Sequence, residues 1–484
     1  MKESWKFDTR VQYIKYRVLT EVAKYAWEGT LAENVLNIPQ TIIPGKVPTM
    51  RCCVYKERAI IGERVKMAMG GDKSNPNSIQ VISIACDECP VGGYVVTDLC
   101  RGCLAHRCKT ACKFGAISHD ANHIAHIDKT KCKECGACAK ACPYMGIVNR
   151  KRPCENACKV DAIKPGEDGA AVIDNEKCVS CGACSYQCPF GAITDTSSII
   201  DAVNLIKESE NNTKYKVFAV IAPAIASQFR RATLGQISTA IKQVGFFDVI
   251  EAALGADLVA AAETRELVKH GLLTSSCCPS FVSYIEKFYP ELIPYVSGTS
   301  SPMVTLGKFI KEHYGENAKV VFIGPCTAKK TEAKKENNAQ WVDNVITFEE
   351  LQALFASKDI EPADMEESEL GGASYFGRIF ARCGGLADAV AEGLKEIGEE
   401  DFELNAVSCS GLEECKRALM LMSKGKGNAN FIEGMACVGG CIGGNGCINH
   451  GEVNWQYLEK FSREAGDKEI IDSIADLVEL TSKE

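Results

Sequence analysis

The sequence predicts an α/β domain preceded by an α+β module of short cysteine-bearing repeats. Three observations predict it. Cysteine runs recur between about residue 84 and residue 195, each followed by a similar apolar tail. Beyond them, apolar runs at 217–222 and 320–323 read as buried strands, while 234–244 and 385–394 carry helical periodicity. Finally, 484 residues with 46% hydrophobic and 24% charged side chains suffice for two or three domains with cores of their own.

In chain order, residues 1–83 read as a helical accessory region. Val11, Ile14, Val18 and Val22 recur at helical spacing, with Tyr25 and Ala26 a turn later, before a connection holding Pro39, Pro44 and Pro48. Residues 1–64 carry eleven Lys/Arg against seven Asp/Glu, the pattern of a solvated face or of a docking surface for an acidic electron carrier. Residues 84–195 repeat one tail four times: Phe114-Gly115-Ala116-Ile117, Tyr144-Met145-Gly146-Ile147, Val160-Asp161-Ala162-Ile163 and Phe190-Gly191-Ala192-Ile193. Strand-like pieces at 123–127 and 171–173 precede the second and fourth runs. Ser198 then opens an amphipathic helix with Ile199, Ala202, Val203 and Ile206 on one face. Residues 196–213 read as a linker into a domain over 214–484.

A formal charge of −8 argues against nucleic-acid binding, which needs a net basic face. The longest apolar stretches, such as 217–225, fall short of the roughly 20 residues of a spanning helix, and the first thirty residues carry charges in place of an apolar signal core. The expectation is a cytoplasmic protein without membrane contact.

The chain holds 27 cysteines, 18 of them before residue 190. Without an export segment, and with length for a core, that density favours metal or redox chemistry over disulfides. Cys132, Cys135, Cys138 with Cys142-Pro143, and Cys178, Cys181, Cys184 with Cys188-Pro189, share the spacing C-x2-C-x2-C-x3-C-P. In such ferredoxin-like runs, three thiolates from one tight loop bind a 4Fe-4S cubane and the fourth binds the other cluster of a pair. Cys100, Cys103, Cys108 and Cys112 form a looser run, Cys154 and Cys158 supply half a set, and Cys86 with Cys89 completes a fourth. Three or four clusters are expected, with tetrahedral zinc the alternative for any one run. Spacing leaves the exchange of fourth ligands open. First with fourth and second with third competes with second with fourth.

Cysteines reappear in Thr274-Ser275-Ser276-Cys277-Cys278-Pro279, in Gly324-Pro325-Cys326-Thr327-Ala328-Lys329-Lys330 and in Met435-Ala436-Cys437-Val438-Gly439-Gly440-Cys441. Cys326 directly follows the apolar run at 320–323, the carboxyl end of a strand, where α/β folds place their ligand sites. Four thiolates on three loops can hold one more cubane.

These segments closely resemble the signature motifs of the iron-only (FeFe) hydrogenases, and the preceding repeats resemble the electron-relay domains of many of those enzymes. Gly371-Gly372-Ala373-Ser374, Cys383-Gly384-Gly385 and Ala222-Pro223 add to the likeness, which spans roughly residues 84–450. The resemblance implies that Cys278, Cys326, Cys437 and Cys441 hold the 4Fe-4S half of an H-cluster. Cys441 would bridge to a two-iron subsite bearing CO, cyanide and an azadithiolate, installed by maturation proteins. It implies reversible interconversion of H2 with protons and electrons, the latter exchanged with a ferredoxin-like carrier. Met435, Ala222 and Pro223 fall at cofactor-binding positions. Lys329 would hydrogen-bond a cyanide, a charge-assisted contact to a desolvated anion. Cys277 would pass protons, since a thiol pKa near ~8.5 lets it both accept and release them. Glu263, Ser297 and Glu266 match the family's relay to solvent, the carboxylates lying at i and i+3 on the helical stretch 260–270.

The chain also departs from the family's better-known members. Gly324 stands where they carry Met, Met303 where they carry Gln, and Ala224 where a Ser is often found; Ile442-Gly443-Gly444-Asn445-Gly446-Cys447 replaces a Gln-containing ending. The pattern is that of a divergent branch, with metal electronics open to change through these outer contacts. Cys383, Cys409 and Cys415 fall outside the motifs and read as buried small hydrophobes; Cys52, Cys53 and Cys447 carry no assigned role. Two other functions fit the same residues: a hydrogen-sensing regulator, and a hydrogenase-like iron–sulfur protein without the two-iron subsite.

Overall fold

The computed structural model describes residues 7–87, 89, 92–399 and 401–482. Strands 217–221, 248–251, 319–324 and 344–347 form a parallel sheet in the order 248–251, 217–221, 319–324, 344–347. A second parallel sheet orders strands 273–274, 431–435 and 406–410. The central strands are buried on both faces, which is why Val217-Phe218-Ala219-Val220-Ile221 is apolar throughout rather than alternating. Helices Leu234–Val244, Ala252–His270, Pro302–Tyr314 and Gly385–Glu396 cover them. Thr233 and Gln236 close a capping box at the start of the first of these. The α/β fold read from the sequence is the fold observed.

Helix Ile199–Glu208 buries Ile199, Ala202, Val203 and Ile206, so the first half of the expected linker is ordered and packed. Helix Arg10–Glu28 packs on helix Phe348–Ser357 of the α/β domain and shares its core through Val18, Leu19 and Val22. Part of the basic excess of residues 1–64 is turned inward. Arg64 is 8% exposed, and the Lys15 ammonium is buried between Asp195 and Glu349. Lys330, 2% exposed, completes this cluster with 2.9 Å contacts to Asp195 and Glu350. One ionic knot thus joins the first helix, the end of the repeats and the α/β domain.

Each repeat pair is built on a short antiparallel hairpin, 117–119 with 125–127 and 163–165 with 171–173. Each pair is closed by a second antiparallel ladder. Strand 93–96 pairs with 147–150, and strand 79–81 pairs with 193–195. The unit 93–150 is thereby inserted into the other unit, between Cys89 and Cys154.

This nesting brings the first run beside the second and the third beside the fourth, an arrangement not among the exchanges considered from spacing. Burial raises the Cys108 thiol, with Cys103 and Cys142 as the charges acting on it; burial likewise raises Cys138, beside Cys132 and Cys112. Burial lifts Cys154 to about 11, beside Cys188 and Cys86, and Cys89 lies near the same two. Burial lifts Cys181 to about 12, beside Cys178 and Cys158, and Cys184 near Cys181, Cys178 and Cys158. Four groups of four emerge: Cys100, Cys103, Cys108 with Cys142; Cys132, Cys135, Cys138 with Cys112; Cys86, Cys89, Cys154 with Cys188; and Cys178, Cys181, Cys184 with Cys158. Cys100 and Cys135 join their groups by their places on the loops.

Candidate functional site

The carboxyl ends of both parallel sheets point into one hollow. Strand 217–221 delivers Ala222-Pro223, strand 319–324 delivers Cys326, strand 273–274 delivers Cys277 and Cys278, and strand 431–435 delivers Cys437 and Cys441. Backbone contacts hold these loops in register. Ser275 N–H donates to Ile432 O at 2.9 Å, Gly434 N–H to Ser275 Oγ at 3.1 Å, and Gly446 N–H to Pro325 O at 2.8 Å. Gly440 has φ +90°, and a Cβ there would lie 2.7 Å from Cys383 N, so only glycine lets the third loop press on the Cys383-Gly384-Gly385 turn. The buried Glu433 carboxylate accepts from Gly384 N–H, Ala387 N–H and Ser408 Oγ at 2.9–3.1 Å, fixing that turn at a helix N-terminus.

The hollow encloses about 870 Å3, its mouth included, and is walled by Ala252, Ala256, Pro302, Met303, Phe322 and Phe380. Cys278, Cys326, Cys437, Cys441, Cys277 and Lys329 all face it, as do Met435, Ala222 and Pro223. Burial lifts Cys326 to about 11 and Cys441 to about 12, with the other cysteines of the hollow as the next influence on each. Lys329 works against this rise at both Cys326 and Cys441 but does not outweigh burial, and a bound cation centre would reverse it. Among the described residues no three His, Cys, Asp or Glu side chains stand as they would round a single metal ion. Four thiols lining one apolar hollow are a donor set that suits an iron–sulfur centre and zinc alike. Cys181 lines the same hollow, so the fourth repeat group abuts it.

Lys329, 8% exposed, donates to Cys277 O at 3.3 Å and pairs with Glu332 at 2.7 Å. The departures found in the sequence have a structural counterpart. A Cβ at Gly324 would lie 2.5 Å from the Phe322 ring, so Phe322 forms the wall that a longer side chain at 324 would otherwise make. Met303 is 1% exposed against the hollow and adds apolar surface there.

Near Cys277 stand the polar side chains of Glu263 and Ser276, with Ser297 and Glu266 a second hydrogen-bonded pair. Glu263 is fully buried, which excludes the solvated-face reading of this helix position. Its Oε1 accepts from Ser276 N–H and Ser276 Oγ, both at 3.2 Å. Ser297 Oγ donates to Glu266 Oε2 at 2.7 Å, and Gly298 N–H donates to Glu266 Oε1 at 2.9 Å. Glu263 Oε2 has no hydrogen-bond partner among the described residues. Burial pushes Cys277 well up, with the Glu263 charge next in effect. Burial lifts Glu263 to about 7, against the Ser276 hydrogen bonds that favour its ionised form. Ser276 escaped notice in the sequence because a serine beside two cysteines carries no spacing signal.

The raised Glu263 pKa has a consequence for stability. Below an unfolded-state value near ~4.3 the carboxyl is protonated in both states and costs nothing; as pH rises to about 7 the unfolded chain ionises first and stability falls. Glu263→Gln is therefore expected to gain on the parent between pH 4.5 and 7, by up to about 3 kcal/mol, and to hold that gain above pH 7. Denaturant unfolding across this range measures it, and a constant difference would contradict the assignment.

The remaining cysteines are placed as follows. Cys409 and Cys415 are 1% and 0% exposed and pack in an apolar cluster, as small hydrophobes do. Cys53 caps helix Val54–Ala68, accepting from Lys56 N–H at 3.4 Å. Cys447 is buried with its thiol toward Ile442 O at 3.6 Å. Cys383 is half-buried and Cys52 exposed.

Residues 215–445 match the family described as iron only hydrogenase large subunit, C-terminal domain, and residues 124–148 and 171–194 match 4Fe-4S binding domains. Iron hydrogenase 1 of Clostridium pasteurianum is 30% identical over 311 residues, covering 53% of each chain. A cytosolic Fe-S cluster assembly factor, narfl, of Xenopus tropicalis is 23% identical over 346 residues, 56% of this chain and 72% of that one. The chain spans about half the length of the first hydrogenase relatives it matches. The solved FeFe-hydrogenase structure HydA(deltaEFG) superposes with a TM-score of 0.50 at 22% identity, over 58% of this chain and 94% of that one, a likeness of fold.

Proposed function

We propose that this chain, with its iron-only hydrogenase C-terminal domain over 215–445 and 4Fe-4S domains ahead of it, interconverts H2 with protons and electrons. The supporting observation is a single apolar hollow that gathers Cys278, Cys326, Cys437 and Cys441 together with Cys277 and Lys329. The four cysteines would hold an H-cluster, Cys441 at the junction with its two-iron subsite. When bound, that cofactor supplies the iron that binds and polarises H2 and accepts its electrons. Lys329 offers a desolvated ammonium to an anionic ligand, where low dielectric strengthens the contact. Cys277 holds or releases a proton at Sγ, and Glu263 Oε2, Ser297 and Glu266 carry it toward solvent. The walls from Ala252 to Phe380 exclude water from the hollow.

Clusters held by the four repeat groups would supply one-electron transfer to it, and the group with Cys181 adjoins the hollow. The inserted unit 93–150 fits an acidic low-potential carrier better than residues 1–64 do. Residues 98–150 carry nine Lys/Arg against four Asp/Glu, and Leu104 and Met145 are 85% and 73% exposed. Arg107→Glu with Lys109→Glu is expected to lower kcat/KM for an acidic ferredoxin about tenfold at low salt, leaving turnover with methyl viologen unchanged. Equal losses with both would relocate the docking site. Among the described residues no helix is long and apolar enough to cross a membrane, and the cytoplasm is the proposed compartment.

The assembly-factor relatives favour a second reading, a hydrogenase-like protein without the two-iron subsite. Against it stands the chemistry of the hollow, since an apolar cavity with a thiol and an ammonium beside its cysteines is built for an anionic ligand. Infrared bands of CO and cyanide, with hydrogen uptake and evolution, on anaerobically matured protein decide between them. Their absence from fully matured protein, with the 4Fe-4S clusters present, would select the second.

A further inference from the structure

Part of the basic excess of residues 1–64 is turned inward, and it converges on one cysteine group. Arg64 is 8% exposed, donates through Nη2 to Phe190 O at 3.1 Å, and has Cys188 and Arg51 as the charges acting on it. It forms no ion pair with a carboxylate among the described residues. Arg51 donates to Ala85 O at 3.1 Å, beside Cys86, and lies 5.0 Å over the Phe190 ring. Arg152, 2% exposed, acts on Cys89. Among the described residues two carboxylates temper this field: Asp87, which pairs with Arg51 and Lys56, and Glu155, which acts on Cys89 and Cys154. A guanidinium cannot shed its proton, and burying one without a counter-charge is strongly unfavourable. The anion facing Arg64 is Cys188, one of four cysteines that with Cys86, Cys89 and Cys154 would bind a cluster.

At Cys108, Cys138, Cys181 and Cys184, as at Cys89 and Cys154, the largest charges acting are those of other cysteines, and Arg152 enters at Cys89 behind two of them. Lys287, which donates to Cys178 O at 2.7 Å, is exposed and screened by water.

We propose that the buried Arg64, with Arg51, raises the potential of the cluster of Cys86, Cys89, Cys154 and Cys188. The inference rests on the four-cluster reading of the repeats. Reduction adds one electron and no bond to this cluster; the electron comes from the external carrier or from hydrogen oxidised at the hollow, and leaves to the other. The added negative charge is stabilised by buried cations at low dielectric, and local charge is among the terms that set cluster potentials. The arginines are positioning residues, acting through the cluster.

The test is an EPR-monitored redox titration of the full chain, anaerobically reconstituted, beside Arg64→Gln, Arg51→Gln, Arg64→Lys and Cys154→Ser, with iron determined for each. Arg64→Gln is expected to keep its iron and to lower the reduced-to-oxidised ratio of one signal about tenfold at fixed poise, equal to 59 mV for one electron. Arg51→Gln moves the same signal in the same direction, and Arg64→Lys restores most of the shift. Cys154→Ser removes that same signal together with iron. The tuning role is overturned if no signal moves in either Gln variant, if all signals move alike, or if the signal that moves survives in Cys154→Ser. Unchanged iron and an unchanged set of signals in Cys154→Ser would overturn the four-cluster reading itself, and the tuning claim with it.

Discussion

Cys277→Ala is expected to lower hydrogen uptake and evolution by about 10²–10⁴-fold, the range in which a positioned proton donor and acceptor contributes. Cluster content should not change. Cys277 faces the hollow beside Cys278, yet the four cysteines that would hold the cluster are Cys278, Cys326, Cys437 and Cys441, so the anchors survive the substitution. What is lost is the only thiol placed between the hollow and the Glu263 carboxyl among the described residues. Cys277→Ser separates geometry from acidity. A serine keeps a donor at the same place but ionises far less readily, and it should remain close to the alanine variant. Activity within a few-fold of the parent in Cys277→Ala, at equal iron and equal infrared intensity, would remove Cys277 from the proton path.

Lys330→Met should cost about 3–5 kcal/mol of folding stability, the range for removing one partner of a buried ion pair. Lys330 is 2% exposed and touches Asp195 and Glu350 at 2.9 Å, and its Nζ also donates to Thr196 O at 2.8 Å. Removing the ammonium leaves two carboxylates, 1% and 0% exposed, with Lys15 as the nearest remaining cation. Denaturant unfolding of the reconstituted chain measures the loss. A change below about 1 kcal/mol, the range of exposed ion pairs, would contradict a buried network. Its neighbour Lys329 faces the hollow, so two adjacent lysines of one motif point to separate regions, one to the hollow and one to the buried ion-pair cluster.

That pair of lysines marks how far a linear reading reaches. Apolar runs at 217–222 and 320–323, and helical periods at 234–244 and 385–394, reported strands and helices because burial on both faces or on one stripe leaves a local pattern. The cysteine spacings reported iron–sulfur runs for the same reason, since three ligands of a cubane sit within one loop. The resemblance of the three later motifs named residues that the fold then brought to one hollow. Local pattern could not report which face a charge takes. The basic excess of residues 1–64 read as surface, but Arg64 and Lys15 turn inward because their counter-charges, Cys188, Asp195 and Glu349, lie more than a hundred residues away.

The same division holds for the repeats. Composition and spacing by themselves determined that the chain carries iron–sulfur runs ahead of an α/β domain with cysteines at strand ends. Only the tertiary structure decided that unit 93–150 is inserted between Cys89 and Cys154, so that first run meets second and third meets fourth. The physical reason is that strand pairing joins residues distant in the chain, 79–81 with 193–195, through backbone hydrogen bonds common to every residue. Such bonds leave no signature in side-chain order.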